Sequence, residues 1–205
     1  KDDTAHEMAV TARGLAKAAE ILASQFTLVA TNVPYLGRGK QDKTLQDFCE
    51  SMHPQAKSDL ATCFIERCLW FCDEFATTAL VSPQNWWFSP GYHEFRLQLL
   101  SRDEFCFLTT LGEEAWQSFG DRGPVASLVI VVRQTPTGAQ RIAALDALPK
   151  KTIEGKIQEL EVGELIPLLQ PDLLANPDSR LAFDKVNSQN LLSIHCESWQ
   201  GLVTA

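Results

Sequence analysis

Between Ala5 and Ser24 the apolar positions Met8, Leu15, Ala18, Ile21 and Leu22 recur at helical spacing, which predicts an amphipathic helix. Phe26–Thr31 then reads as a short buried strand, stopped at Asn32-Val33-Pro34-Tyr35 because proline cannot continue a central ladder. The unit recurs. A second helix is predicted over Ser58–Asp73, with Ser58 as its cap, Asp59 in its first turn, and Leu60, Phe64, Cys68 and Phe71 as its inner face. Thr77–Val81 follows as a strand and runs into the loop Ser82-Pro83-Gln84-Asn85-Trp86. A helix over Tyr92–Leu100 and strands over Phe105–Thr110 and Val125–Arg133 complete the pattern. Such alternation predicts an α/β fold with a mostly parallel, doubly wound sheet and functional loops at the carboxyl ends of strands, where Asn32 and Ser82 both fall. After Gln134 the chain is Leu-rich but interrupted by Pro149, Pro167, Pro171 and Pro177. The expected division is a partial domain over 1–135 and an irregular connector over 136–205.

The chain has 205 residues and 45% hydrophobic content, enough to bury a full core. A formal charge of −8 argues against gripping nucleic acid over the whole surface, and leaves room only for a local contact such as the basic loop Arg38–Lys43. No window approaches the roughly 18 apolar residues of a membrane span, and Lys1-Asp2-Asp3-Thr4 lacks the order of a signal peptide. A cytoplasmic protein without membrane contact is expected. A start at Lys1, without Met, reads as an excised piece. Six cysteines and the scattered His6, His53, His93 and His195 lack the paired spacing of a metal site, so reduced thiols and no metal are expected. The phosphate-cradling G-x-x-x-x-G-K-S/T pattern is absent, which removes support for nucleotide hydrolysis.

Chemistry concentrates at Asn32-Val33-Pro34-Tyr35. The Asn32 side-chain oxygen and the Val33 carbonyl are two acceptors that can take both hydrogens of an exocyclic amine, turning its lone pair toward an electrophilic methyl. Pro34 helps aim that carbonyl, and Tyr35 offers a face on which a planar base can stack. Orientation and charge stabilisation can supply much of the rate without a general base. The same four residues also suit a plain strand-ending turn.

The context of that loop resembles the N6-adenine DNA methyltransferases of the type IIG restriction-modification and BREX phage-defence kind, whose signature is N-P-P-Y. Thr31–Gly37 is similar to their T-N-P-P-Y-L-G, Lys57–Leu60 and Phe64–Arg67 to their K-x-D-L and F-I-E-R, and Leu80–Trp86 to their V-T-P-Q-x-W. Leu111-Gly112 before Trp116 is similar to their L-G-x-x-x-F, and Asn176–Arg180 and Gln200–Thr204 to the start of a target-recognition domain. The resemblance implies a Rossmann-like methyltransferase sheet using S-adenosyl-L-methionine. It makes Asn32 the amine acceptor, with the cofactor's methyl beside it, Val33 the second acceptor through its carbonyl, and Tyr35 the stacking partner of an adenine flipped from double-stranded DNA. Trp116, with Phe119 second, would be the other wall, and Ser82, Gln84 and Asn85 the rim. Val33 stands where the family has its first proline. The glycine-rich turn and acidic residue that seat the cofactor lie N-terminal to this loop in the family, so the pocket is expected to be incomplete. A protein-glutamine or RNA methyltransferase, or a non-catalytic subunit of a defence assembly, are the alternatives the acceptor loop leaves open.

Overall fold

The computed structural model describes residues 2–116 and 123–184. Six strands form one sheet in the order β1-β2-β4-β3-β5-β6, with β1 at Phe26–Asn32, β2 at Cys72–Pro83, β3 at Glu104–Gly112, β4 at Ala126–Val132, β5 at Arg141–Asp146 and β6 at Ile166–Leu169. The helices are α1 (Asp2–Ala23), α2 (Lys43–Met52), α3 (Leu60–Phe71), α4 (His93–Arg102), α5 (Ile153–Val162) and α6 (Gln170–Ala175).

The α/β reading holds, whereas the expected parallel sheet is mixed. β1 runs parallel to β2 and β3 parallel to β5, but β4 is antiparallel to both β2 and β3, and β6 is antiparallel to β5. The described chain between β3 and β4 holds no α-helix, so β4 returns beside β3 in the reverse sense. The segment after Gln134, expected to be irregular, instead adds β5, α5, β6 and α6, and extends the same sheet. Its prolines sit where regular structure accepts them. Pro167 lies on the terminal strand β6 and Pro171 in the first turn of α6.

Helix α3 is capped by Asp59 rather than Ser58, with the carboxylate accepting from Ala61 N–H at 2.8 Å. Its buried residues are Ala61, Thr62, Cys63, Ile65, Glu66, Cys68 and Leu69, while Phe64, expected inside, is 40% exposed. The sequence Leu60–Phe71 is apolar nearly all round, so periodicity alone leaves the inward direction undetermined. The core joins this face to Trp86, Trp87, Phe95, Leu99, Phe105, Leu108 and Val129. Helix α1 forms as expected, but its apolar residues Met8, Val10, Leu15, Ile21 and Leu22 are all exposed, and β1 beside it has only Val29 half-buried. The five described cysteines carry free thiols, four of them buried. No helix among the described residues is long and apolar enough to cross a membrane.

Candidate functional site

The register brings three strand ends to one edge of the sheet. Asn32, the last residue of β1, pairs with Val81, and Pro83 at the end of β2 pairs with Ala126, which pairs in turn with Gly112 at the end of β3. The loops that leave β1 and β3 therefore meet over this edge. Tyr35 and Trp116 touch edge to face, with ring centroids 6.0 Å apart and planes at 87°. Gly112 turns the chain with φ 77°, and a Cβ there would lie 2.9 Å from Leu148 Cδ2, so both its conformation and its space require glycine.

Asn32 is exposed and Val33 is buried, its N–H donating to the Val81 carbonyl at 3.1 Å. The next residue is Pro34, which restricts Val33 to extended conformations and so keeps the chain on the line of β1 for one further residue. Beyond Tyr35 the loop is tied to the start of α3. Leu36 N–H donates to Asp59 Oδ1 at 3.3 Å, Leu60 N–H to the Leu36 carbonyl at 3.0 Å, and Arg38 N–H to the Ser58 carbonyl at 3.1 Å. Gln41 is buried and its amide donates to the same Leu36 carbonyl at 2.9 Å. Asp59 thus caps α3 and holds the loop with one oxygen, a role that neither its place in the predicted first turn nor the K-x-D-L likeness assigned. Asp59 and Gln41 are the residues that reading loops by residue type missed.

Tyr35 is half-buried, and its hydroxyl is shut from solvent without a hydrogen-bond partner among the described residues. Burial, and secondarily the Asp59 carboxylate, push it up to about 12, so it stays a neutral phenol. The proposed rim divides. Ser82 is fully buried, accepting from Trp86 Nε1 at 3.1 Å and lying 3.2 Å from the Ser127 hydroxyl, and Gln84 is also buried. Asn85 is exposed and forms a side-chain hydrogen bond with Tyr92. Trp116 is half-buried and donates through Nε1 to the Pro124 carbonyl at 2.7 Å. Phe119 lies outside the described residues, as does Gln200–Thr204. Of the basic loop, Arg38 pairs at 2.8 Å with Glu50 of α2, which also pairs with Lys57 at 2.6 Å. Residues Asn176–Arg180, read as the start of a recognition domain, pack back onto α4. Arg96 is buried there and donates to the Asp178, Trp86 and Ser89 carbonyls at 2.7–3.0 Å.

An exposed asparagine thus stands at the carboxyl end of a strand, with the Val33 main chain beside it and the Tyr35 and Trp116 rings in contact at the same end of the sheet. The chain belongs to the Eco57I restriction-modification methylase family, whose description matches residues 3–116. It is 29% identical over 143 residues to the adenine-specific methyltransferase PglX of Lacticaseibacillus casei, covering 68% of this chain and 12% of that protein. It is 32% identical over 96 residues to the adenine-specific methyltransferase BrxX of Escherichia coli, covering 47% of this chain and 8% of that protein. The fold is similar to that of a type I restriction-modification methyltransferase subunit from Streptococcus thermophilus, with a TM-score of 0.52, 14% identity, and coverage of 78% of this chain and 38% of that one.

Proposed function

We propose that the protein containing this chain transfers a methyl group from S-adenosylmethionine to N6 of an adenine flipped out of double-stranded DNA, as part of restriction-modification or phage defence. The observation that carries the reading is the exposed Asn32 next to the Val33 carbonyl, at the edge where Tyr35 and Trp116 converge. In this reading the Asn32 side-chain oxygen and the Val33 carbonyl accept the two amino hydrogens, and Tyr35 supports the base. The cofactor supplies the electrophilic methyl when bound. Of its seat, the described residues offer Asn32 and the open outer edge of β1, which fits a cofactor held between this chain and a further segment rather than by this chain alone. DNA is preferred over a protein amide or RNA because the family is a restriction-modification methylase and both curated relatives are named adenine-specific. In this reading Asn85, exposed, and Trp116, half-exposed, meet the base or its neighbours, and the buried Ser82, accepting from Trp86 Nε1, braces the β2 loop that carries Asn85.

Replacing Asn32 with Ala in the full-length protein tests this. Asn32 is exposed, so the fold should survive and cofactor affinity should change little, while methylation falls by about 10²-fold to 10³-fold, the usual loss for one preorganised hydrogen bond. Methylation within about threefold of the parent enzyme, well short of that loss, leaves only a strand-ending turn.

A further inference from the structure

The segment Leu80–Trp86 contains a proline that the acceptor chemistry leaves unused. β1 and β2 are parallel, with Asn32 opposite Val81, so Val33 stands opposite Ser82. In a parallel ladder a residue bonds to the two neighbours of its partner, its N–H to the carbonyl before and its carbonyl to the N–H after. The first of these bonds is present, from Val33 N–H to the Val81 carbonyl at 3.1 Å. The second would come from the amide of residue 83. That residue is Pro83, which has no N–H.

The alternation along β2 gives the same orientation independently. Gln84 N–H turns toward β4 and donates to the Val125 carbonyl at 3.0 Å, so the main-chain groups of residue 83 face β1. The sheet itself does not end at this point, because Pro83 still pairs with Ala126 on its other side. Proline in a strand flanked on both sides normally removes a ladder bond at a cost in stability. Here the bond removed is the one that would occupy the Val33 carbonyl.

We propose that Pro83 is a positioning residue that keeps the Val33 carbonyl open for the substrate amino group. This rests on the reading of Val33 as the second acceptor. Any other residue at 83 places an N–H against that carbonyl, which then competes with the amine and draws the oxygen into the plane of the sheet. Pro34 and Pro83 act together on one atom. The first confines Val33 to extended backbone, and the second withholds its ladder donor.

The test uses the full-length enzyme with Pro83→Ala and with Pro83→lactate, an α-hydroxy acid that carries the same methyl group as alanine but an ester oxygen in place of N–H. Pro83→Ala is expected to lower kcat about tenfold or more, a part of the loss expected for removing such a hydrogen bond outright. The KM for S-adenosylmethionine should stay near the parent value. Its Tm should match or exceed the parent's, because a new ladder bond offsets the lost restraint on the unfolded chain. The lactate variant should retain most of kcat. Equal losses in the two variants would show that Pro83 acts by shape alone, and full activity of Pro83→Ala, or collapse of the fold in both variants, would also overturn the proposal. Asn32→Ala run in parallel separates the two failures. If it is inactive while Pro83→Ala is fully active, the role of Pro83 alone is wrong, whereas an active Asn32→Ala removes the acceptor reading on which both depend.

Discussion

At the residue scale, the Tyr35 hydroxyl is the least expected group at the site. A buried phenol with no partner among the described residues is unfavourable by about 1–3 kcal/mol relative to a satisfied one. The ring face, not the hydroxyl, is what stacking requires. Tyr35→Phe is therefore expected to leave methylation within about threefold of the parent and to leave stability unchanged or raise it by about 1 kcal/mol, read by thermal unfolding. Tyr35→Ala should lose methylation with the stacking surface, which contributes about 1–3 kcal/mol per base in comparable contacts. Since burial holds the phenol near 12, the pH profile of methylation should show no limb from Tyr35 through the neutral range, and Tyr35→Phe should leave that profile unmoved. Much at this scale was legible in the sequence. The types and order of Asn32, Val33 and Tyr35 suggested the proposed acceptor chemistry, and the structure exposes Asn32 and brings the Tyr35 ring against Trp116. Ser82 did not, because a serine at a strand end reads as a loop donor until Trp86 and Ser127 are seen to close over it.

At the element scale, β1, α3 and β4 could be read from apolar runs and helical spacing, and the strand ends fell where the loops were expected. Two properties escaped. An apolar run such as Ala126–Val132 reads alike in either direction, so the reversal of β4 was invisible until its pairing was known. The prolines after Gln134 read as interruptions, although a proline on a terminal strand or in a first helical turn is compatible with regular structure. Arg96 on α4 shows how that later segment bears on the site. Its guanidinium is wholly buried and satisfies the carbonyls of Trp86 and Ser89, which follow the β2 loop, and of Asp178, which has φ 55°. Arg96→Met would leave the Trp86 and Asp178 carbonyls without this donor, while the Ser89 carbonyl keeps the Tyr92 N–H at 3.1 Å. A loss of roughly 2 kcal/mol or more is expected in chemical unfolding, at about 1 kcal/mol or more for each of the two orphaned acceptors. Arg96→Lys should recover only part, since an ammonium is a compact point charge and cannot span three carbonyls as a planar fork does. Equal stability of Arg96→Met and the parent would show that this latch contributes nothing.

At the scale of the whole molecule, the sheet formed by the described residues ends in a blunted strand at one side and an open one at the other. β6 closes the far side with a short strand that carries Pro167, which blunts further pairing. Among the described residues β1 has no such protection. Its seven residues are exposed or half-exposed, Leu28 is 60% and Phe26 38% exposed, and the adjoining helix α1 exposes Met8, Leu15, Ile21 and Leu22. The matched region spans 12% and 8% of the two curated relatives, and the apolar spacing of α1 signalled a helix correctly, although its apolar residues are not buried among the described residues. An unpaired, apolar strand edge flanked by an apolar helix face is a template for association with any available strand, including that of a second copy. The isolated 205-residue chain is accordingly expected to self-associate in a concentration-dependent way, measured by light scattering or sedimentation. Leu28→Lys should suppress this, because an edge lysine places a charge where a second strand would dock, and at an exposed position it opens no cavity. A chain that stays monomeric at high micromolar concentration, or a Leu28→Lys variant that associates as strongly as the parent, would show that the β1 edge is not the surface that drives association.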